Sequence, residues 1–274
     1  STSRRQRQMC IRDSNNAQRE NASAVGYNNH AVSDDTNAIG ANNQALAEDS
    51  NAIGSKNNTY ASESNAIGSG NMTNGVGSSA VGADNVANGL DSNAFGHGNQ
   101  ALADSANAFG TGNIISATAV SSSAFGVLNN IEGKESVAFG FGNSIAYLAD
   151  GASAVGHKNT VNGTSGSAIG NNNGALAMYT TAIGNNNSTV GHNSSAVGQD
   201  NIINGSADNS MAFGNANIVS AVYGGAVGMN NTVSGENAQA YGFKNESSGD
   251  DAQAFGALNK ATERYASAFG HENE

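Results

Sequence analysis

The chain has 274 residues, of which 38% are hydrophobic and 12% charged, and it contains 36 Gly, no Pro, no Trp and a single Cys. The formal net charge is −11, and residues 15–274 alone carry seven basic against 21 acidic residues, or −14. Nucleic acids and anionic membrane surfaces bind basic patches, so this acidity argues against both as direct partners.

The first segment, residues 1–14, matches nothing else in the chain. It holds four arginines and the only cysteine, Cys10. The segment resembles the translation of a transposon-end sequencing adapter, and we interpret it as a non-native leader. A genuine basic leader or a protease-sensitive dibasic site is the alternative. We interpret residues 15–274 as one repeat domain, which has no cysteine and therefore no disulfide to stabilise it.

One phrase recurs eighteen times from Ala24 onwards: Ala, a larger apolar residue, Gly, two variable residues and Asn. Positions are counted here from the repeat glycine as zero. Of the seventeen intervals between these glycines, fourteen are 14 residues long and three are 16. A period this short cannot hold a helical hairpin, so each repeat is predicted to be one coil of an all-β solenoid. The repeat glycines are Gly26, Gly40, Gly54, Gly68, Gly82, Gly96, Gly110, Gly126, Gly140, Gly156, Gly170, Gly184, Gly198, Gly214, Gly228, Gly242, Gly256 and Gly270.

The residues just before the glycine predict a strand that is apolar on both faces. Ala at position −2 and the larger residue at −1 are adjacent and point to opposite faces. We expect Ala to face the inside of the coil and the larger residue to face partner chains, because an exposed apolar stripe of this length is untenable on a monomer. The predicted interface residues are Ile39, Ile53, Ile67, Phe95, Phe109, Phe125, Phe139, Ile169, Ile183, Phe213, Phe255 and Phe269.

The second half of each repeat predicts an outer strand with one wet face. An apolar residue or Thr usually occupies position +5, as in Ala45 and Ile115, and Ala or Gly dominates at +7. This alternation is typical of a half-buried strand. The three 16-residue intervals add two residues at the turn that follows, around residues 118–122, 148–152 and 206–210. We expect neutral bulges there, with a local ligand site as the alternative.

The glycine and the asparagine are predicted to have backbone roles. Gly provides a positive φ beside a tight turn, and the Asn three residues later bonds to local backbone. Stacked coils would align the Asn side chains into a hydrogen-bonded ladder. Representative positions of this turn and ladder are Gly40, Asn43, Gly54, Asn57, Gly110, Asn113, Gly184 and Asn187.

The phrases at 136–140, 167–170 and 195–198 (SVAFG, SAIG and SAVG) resemble the head repeats of trimeric autotransporter adhesins, which are of the S-V-A-I-G type. The resemblance covers roughly residues 15–274. It implies a left-handed parallel β-roll of about 18 fourteen-residue coils, with three chains packed side by side as a homotrimer. The invariant Asn departs from the family pattern, and the family's neck, stalk and C-terminal membrane anchor have no counterpart. We therefore interpret the chain as an internal segment of a longer surface fibre.

The sequence offers little for catalysis. The five histidines are scattered, and those that directly follow repeat glycines are at least four coils, about 20 Å, apart. Carboxylates gather eight or nine residues after their glycines, as in Glu48 and Asp49, and predict an interrupted acidic ridge. The ridge is interpreted as edge protection and solubility, with weak Ca²⁺ binding or attraction to a basic ligand as alternatives. We expect no enzyme, no cofactor and no metal site.

The predicted function is non-catalytic adhesion at a bacterial cell surface, with outer-membrane anchoring through a missing C-terminal segment. Eighteen coils predict a rod of roughly 85 Å with many repeated weak contacts. The resemblance implies host matrix proteins such as collagen or fibronectin, or other cells, as partners. A segment of a phage tail fibre and an ice-binding solenoid are the alternatives. The latter needs a flat Thr array, for which Thr59, Thr73 and Thr189 share a position but the coils between them do not carry Thr.

Overall fold

The computed structural model describes residues 14–274, and the interpretation of the leader falls almost wholly on residues outside that range. The described residues form short strands and turns, and no helix occurs among them. The chain divides into two compact units, with the boundary between Ile131 and Glu132. Each unit is built from the same two kinds of strand, a five-residue strand and a two-residue strand, which alternate along the chain.

The first unit contains seventeen strands, β1 to β17. Its long strands are β2 (Ser23–Tyr27), β4 (Asn37–Ala41), β6 (Asn51–Ser55), β8 (Asn65–Ser69), β10 (Ser79–Ala83), β12 (Asn93–His97), β14 (Asn107–Thr111) and β16 (Ser123–Val127). Its short strands are β1 (Asn16–Ala17), β3 (His30–Ala31), β5 (Gln44–Ala45), β7 (Asn58–Thr59), β9 (Met72–Thr73), β11 (Val86–Ala87), β13 (Gln100–Ala101), β15 (Ile114–Ile115) and β17 (Asn130–Ile131).

The second unit contains nineteen strands, β18 to β36. Its long strands are β18 (Val137–Phe141), β20 (Ser153–His157), β22 (Ser167–Asn171), β24 (Thr181–Asn185), β26 (Ser195–Gln199), β28 (Met211–Asn215), β30 (Gly225–Met229), β32 (Gln239–Phe243), β34 (Gln253–Ala257) and β36 (Ser267–His271). Its short strands are β19 (Ser144–Ile145), β21 (Thr160–Val161), β23 (Gly174–Ala175), β25 (Ser188–Thr189), β27 (Ile202–Ile203), β29 (Ile218–Val219), β31 (Thr232–Val233), β33 (Glu246–Ser247) and β35 (Lys260–Ala261).

Within each unit, every strand pairs in parallel with the strand of the same kind one repeat along the chain. In β4 and β6, for example, Ala38 lies opposite Ala52 and Gly40 opposite Gly54. Long strands thus form one parallel sheet and short strands another, with one strand of each per coil. This confirms the predicted all-β, parallel solenoid of about 18 fourteen-residue coils. The left-handed winding of the β-roll and the homotrimer remain predictions.

The core of each coil is narrow and made of small residues. Ala at position −2 is buried in both units, for example Ala38 and Ala182, both 0% exposed. The residue at +5 faces it from the short strand and is equally buried, as in Ala45 and Ile145. Ala therefore points inward, as expected. The short strand occupies only positions +4 and +5, so the outer strand is shorter than the alternation in the sequence had indicated.

The coil has two turns, which differ in how they close. The near turn, at positions +2 and +3, joins the long strand to the short one, and the far turn, at +6 to +10, leads into the next long strand. Position +10 ends the far turn with a buried small residue such as Thr36 or Ser50. Burial at this position was not predicted, although small residues recur there in the sequence.

The 16-residue coils lengthen only the far turn. The extra pairs are 117–118, 147–148 and 205–206, each placed before an Ala that is fully buried: Ala119, Ala149 and Ala207. The backbone N–H of Gly151, at the tip of one lengthened turn, donates to the Lys134 carbonyl at 2.9 Å, as the tip residue of a 14-residue coil does. The insertions are therefore bulges on an unchanged frame.

Candidate interaction surfaces

The repeat glycine lies inside the long strand and is required there for two reasons. Gly40 has a φ of +119° and Gly184 a φ of +121°, a region that side chains strain to enter. A Cβ built on Gly40 would also stand 2.0 Å from the carbonyl oxygen of Gly54 in the next coil, and one on Gly184 would stand 2.0 Å from that of Gly198. The same close approach recurs at Gly54 and Gly110. No other residue fits this site without moving the next coil.

The asparagine at +3 forms a buried ladder along each unit. The backbone N–H of Asn43 and its Nδ2 both donate to Oδ1 of Asn29, at 3.1 and 3.0 Å. Its Nδ2 also donates to the carbonyls of Ile39 in its own strand and Gly54 in the next, at 2.9 and 2.8 Å. Asn187 makes the equivalent bonds in the second unit. Asn57 and Asn113 do so in the first.

The polar groups of these asparagines are all hydrogen-bonded within the chain, and the side chains are inaccessible to a ligand. Asn43, Asn57 and Asn113 are 0% exposed and Asn187 is 1% exposed. Each side-chain amide donates hydrogen bonds to backbone carbonyls of its own long strand and the next, and its oxygen accepts the backbone N–H of the next ladder residue. Leaving such groups unpaired in the interior costs about 1–3 kcal/mol each. The ladder is therefore a stabilising element of the solenoid.

The outer face of the long strands carries the large residue at −1, which forms a continuous row in each unit. We call these residues the stripe. Side chains of the stripe are half-buried or exposed in the single chain, and the exposed ones range from 37% for Ile39 and Phe213 to 58% for Phe269. None of the twelve predicted interface residues is buried: Ile39, Ile53, Ile67, Phe95, Phe109, Phe125, Phe139, Ile169, Ile183, Phe213, Phe255 and Phe269.

Aromatic residues of the stripe stack on one another along the coils. The rings of Phe95 and Phe109 are 5.0 Å apart at 9°, and those of Phe109 and Phe125 are 5.2 Å apart at the same angle. In the second unit Phe255 lies 4.7 Å from Tyr241 and 5.1 Å from Phe269. Since the rings are held in one orientation, each run presents an ordered apolar surface rather than a set of independent side chains.

A row of polar side chains runs beside the stripe at position −3 and is ordered in the same way. The amide of Asn37 donates to Asn51 and that of Asn51 to Asn65, both at 2.8 Å, and Asn93 donates to Asn107 at 2.9 Å. These side chains lie on the same outer face of the long strand, since they alternate with the buried Ala. The outer face therefore combines an apolar stripe with a flanking row of side-chain amides.

The carboxylates of the far turn have structural partners in the preceding coil. Oδ1 of Asp104 accepts the backbone N–H of Leu90 at 2.9 Å, and Oδ1 of Asp250 accepts that of Glu236 at 3.1 Å. In two lengthened coils, Asp150 and Asp208 accept backbone N–H groups in the same way. These aspartates accept hydrogen bonds from backbone N–H groups of the far turns. The interpretation of the acidic residues as edge protection and solubility stays a prediction.

The far turns of four successive coils in the second unit enclose a shallow groove of about 620 Å³. Its walls are Leu148, which is 72% exposed, and Met178, which is 48% exposed. The coil between them carries the small residues Gly163 and Thr164. Val190 closes one end. A local ligand site at the lengthened turns was the predicted alternative, but these residues were not predicted. The available signal was a bulky apolar residue in an inserted pair, Leu148, two coils before another at a far-turn position, Met178.

In the described part of the chain, no three His, Cys, Asp or Glu residues are placed to share a metal ion. His97 approaches Asp84 at 4.0 Å, with both side chains largely exposed. The three threonines of the ice-binding alternative, Thr59, Thr73 and Thr189, are all 0% exposed. They cannot present a surface to ice.

Residues 14–274 include no helix long and apolar enough to cross a membrane. The fold and the repeat positions define the chain as a parallel β-solenoid repeat protein. Residues 175–201 match the family described as YadA head domain repeat, in two copies. Comparison with the curated proteins gives no match.

The matched segment contains two complete Ala-x-Gly-x-x-Asn phrases, ending at Asn187 and Asn201, and the same three residues recur in all eighteen repeats. The match therefore falls on two of the eighteen repeats, and the other sixteen share the same three residues. The resemblance drawn from the sequence is confirmed at these repeats: residues 175–201 are similar to the head repeats of trimeric autotransporter adhesins.

Proposed function

We propose that the chain forms a homotrimer through the stripe and serves as a non-catalytic adhesive head on a bacterial surface. The observation that carries the proposal is the stripe itself: one large apolar side chain per coil, aligned and left partly exposed on an otherwise polar chain. A monomer rarely exposes contiguous apolar patches larger than about 300–600 Å². Three stripes meeting at one axis bury this surface.

The thin core supports the same proposal. Inward positions are mostly Ala, Ser, Thr and Gly, so each coil buries little apolar area of its own. Ordering one residue costs about 1–2 kcal/mol of backbone entropy, and apolar burial returns about 25 cal/mol per Å². Burial of the stripe between chains adds area at every coil. Self-association therefore stabilises the repeats where their own interior is too small to do so alone.

The adhesive role rests on the family match and on the repetition of the surface. Far turns and the exposed face of the short strands recur at every coil, and a trimer presents each of them three times. Weak contacts that repeat on a rigid support bind with an avidity far above that of one contact. The proposed partners are host matrix proteins, such as collagen or fibronectin, or other cells. The proposed location is the bacterial cell surface, with anchoring in the outer membrane by the full-length protein.

Charge substitution in the stripe tests the assembly. Ile53→Asp and Phe109→Asp each place three carboxylates at the proposed axis, and burial of like charges is strongly unfavourable. Gln100→Asp is the matched control, because Gln100 is exposed on the short strand, outside the stripe. Sedimentation velocity should show monomers for the two stripe variants and a trimer for the control. Folded trimers of both stripe variants would show that the stripe is not the interface.

Binding to immobilised collagen and fibronectin tests the adhesive role. The trimeric wild-type chain should bind at least one of these, or a cell surface. The monomeric Phe109→Asp chain should bind about 100-fold or more weakly, since avidity is lost without changing the far turns. Equal binding by monomer and trimer would contradict an avidity mechanism. Absence of binding by the trimer to matrix proteins and cells would contradict the adhesive role.

A further inference from the structure

Uniform coils leave the axial register of packed chains undetermined. Two chains shifted by one coil still align seventeen of eighteen repeats, and each aligned pair meets with the same backbone geometry. The Gly and Asn ladders cannot correct such a shift, since they are identical in every coil and closed within their own chain. Register between identical chains must therefore come from a feature that varies from coil to coil and faces the partner.

The stripe varies in this way. In the first unit, an aliphatic run is followed by an aromatic run, in the order Val25, Ile39, Ile53, Ile67, Val81, Phe95, Phe109 and Phe125. The second unit mixes the two types in a different order: Phe139, Val155, Ile169, Ile183, Val197, Phe213, Val227, Tyr241, Phe255 and Phe269.

Aromatic and aliphatic runs differ in how far their side chains project from the strand and in how firmly these side chains are held. A Phe ring projects further from the strand than Val or Ile, and the stacked rings of Phe95, Phe109 and Phe125 are held nearly parallel at 5.0 and 5.2 Å. Neighbouring rings prevent one ring from folding away to accept a narrower partner. Protein interiors are close-packed, so a wide coil against a narrow one creates either a void or a clash.

We propose that the order of aromatic and aliphatic residues along the stripe sets the axial register of three copies of this chain. The inference rests on the proposed homotrimer. In register, every coil meets two coils with the same stripe residue. A shift of one coil sets an aromatic residue against an aliphatic one at five of seventeen coil pairs, and a shift of two coils does so at six of sixteen. The lengthened far turns lie outside the stripe and cannot supply this discrimination.

Cysteine cross-linking measures the register directly. Two full-length chains in a Cys10→Ser background carry Ile39→Cys or Ile67→Cys, with different affinity tags, and are unfolded, mixed and refolded together. The two sites are two coils apart, or about 9.5 Å along the axis. A disulfide needs Cα atoms within about 7 Å. Disulfides between the two kinds of site are therefore excluded in register and form only in trimers whose chains are shifted along the axis.

With the native stripe, we expect disulfides within each kind of site only. An erased stripe has eight substitutions to Ile and keeps the backbone and ladders unchanged. In it, mixed disulfides should rise about tenfold or more, because shifted trimers lose only the contacts of the unmatched end coils and meet no mismatched pairs. The erased positions are Phe95, Phe109, Phe125, Phe139, Phe213, Tyr241, Phe255 and Phe269. Trimers of the erased chain that still form disulfides only within each kind of site would overturn the proposal.

A patterned control changes the stripe without erasing it. Five substitutions move the native pattern by one coil and leave it self-consistent, so this chain should again give only same-site disulfides. The five are Val81→Phe, Phe139→Val, Val197→Phe, Phe213→Val and Val227→Phe. Mixed disulfides in this control at the level of the erased chain would mean that substitution alone, not loss of pattern, disturbs the register, and would overturn the proposal.

A second comparison applies even if the erased chain does not fold. Chains with the native stripe and chains of the patterned control, both carrying Ile39→Cys, are refolded together. Same-coil disulfides between the two kinds should fall about tenfold below those within one kind, since alignment at Ile39 mismatches five coils. Equal yields would overturn the proposal. The light-scattering mass of each sample separates the two claims: a native chain that is monomeric contradicts the homotrimer, whereas trimers of mixed register contradict only the role of the pattern.

Discussion

The near turn and the far turn of each coil perform the same topological task under different constraints. The near turn is bounded by Gly and Asn in all eighteen repeats, because a Cβ on the glycine meets the next coil at about 2.0 Å and the Asn amide closes two carbonyls. The far turn accepts Glu48, Leu148 or Met178 and tolerates two extra residues. The Gly and Asn of the near turn therefore specify the stacking, whereas the two residues between them, the far turn and the outer face vary.

The backbone at both turn tips is nonetheless equally fixed. Asn42 in a near turn has a φ of +59° and Asp49 in a far turn a φ of +56°. Their backbone N–H groups donate to carbonyls of the preceding coil, Tyr27 at 2.8 Å and Asp34 at 3.2 Å. Even Leu128 and Tyr179 adopt the left-handed region at these positions. Hydrogen bonds to the neighbouring coil impose the conformation there, and residue type does not.

The largest loss of stability is expected for Gly184→Ala, in the strand that leads into a near turn. The new Cβ would stand 2.0 Å from the Gly198 carbonyl oxygen, at a φ of +121°. We expect a loss of more than about 4 kcal/mol and a local break in stacking. Gly98→Ala is the control, with a φ of +64° and no atom within 4 Å of the added Cβ. It should cost only about 1–2 kcal/mol. Urea unfolding measures both; equal losses would contradict the close-approach argument.

The next effect concerns the ladder. Asn187→Ala removes donors to Ile183 and Gly198 and leaves the Asn201 backbone N–H without its acceptor, so we expect a loss of about 3 kcal/mol. Asn74→Ala removes an exposed side-chain bond to Asn88 in a far turn and should cost less than about 0.5 kcal/mol. Hydrogen exchange of the Asn201 amide should increase in the first variant. Comparable losses in the two variants would show that burial of the ladder does not matter.

A smaller effect separates two serines at the end of the far turn. The hydroxyl of Ser50 donates to the Ala47 carbonyl and accepts from Thr59 at 2.9 Å, whereas the buried hydroxyl of Ser78 has no partner. Ser50→Ala should lower the free energy of unfolding by about 1–2 kcal/mol, and Ser78→Ala should leave it unchanged or raise it. Thermal unfolding of the two variants provides the measurement. A larger loss for Ser78→Ala would contradict the hydrogen-bond assignment.

The smallest effect is expected for deletion of residues 147–148. The shortened turn then reads Ala146, Ala149, Asp150, Gly151, Ala152, which matches a 14-residue coil with its buried Ala and its tip residue in place. The free energy of unfolding should change by less than about 1 kcal/mol, because the removed side chains are 58% and 72% exposed. Deletion of residues 186–187 in a near turn is the control and should abolish folding of the neighbouring coils by circular dichroism. Tolerance of both deletions would remove the distinction between the turns.

The sequence was sufficient to predict the features that one residue type enforces. The coil length, the parallel stacking and the inward Ala follow from invariant positions and from the alternation of faces in a strand. The left-handed tips at Leu128 and Tyr179 could not be predicted, because they are imposed by bonds to a neighbouring coil rather than by the residues themselves. The acceptor role of Asp104 and the groove beside Leu148 depend likewise on which far turns stack next to each other.

The central claim is that the stripe is buried between three chains. Multi-angle light scattering of the full chain, on protein with β-type circular dichroism, tests this claim most directly. The account predicts a mass near three times the 27.4 kDa of one chain. A folded monomer of 27.4 kDa would contradict it, since the stripe would then be stable in water without a partner.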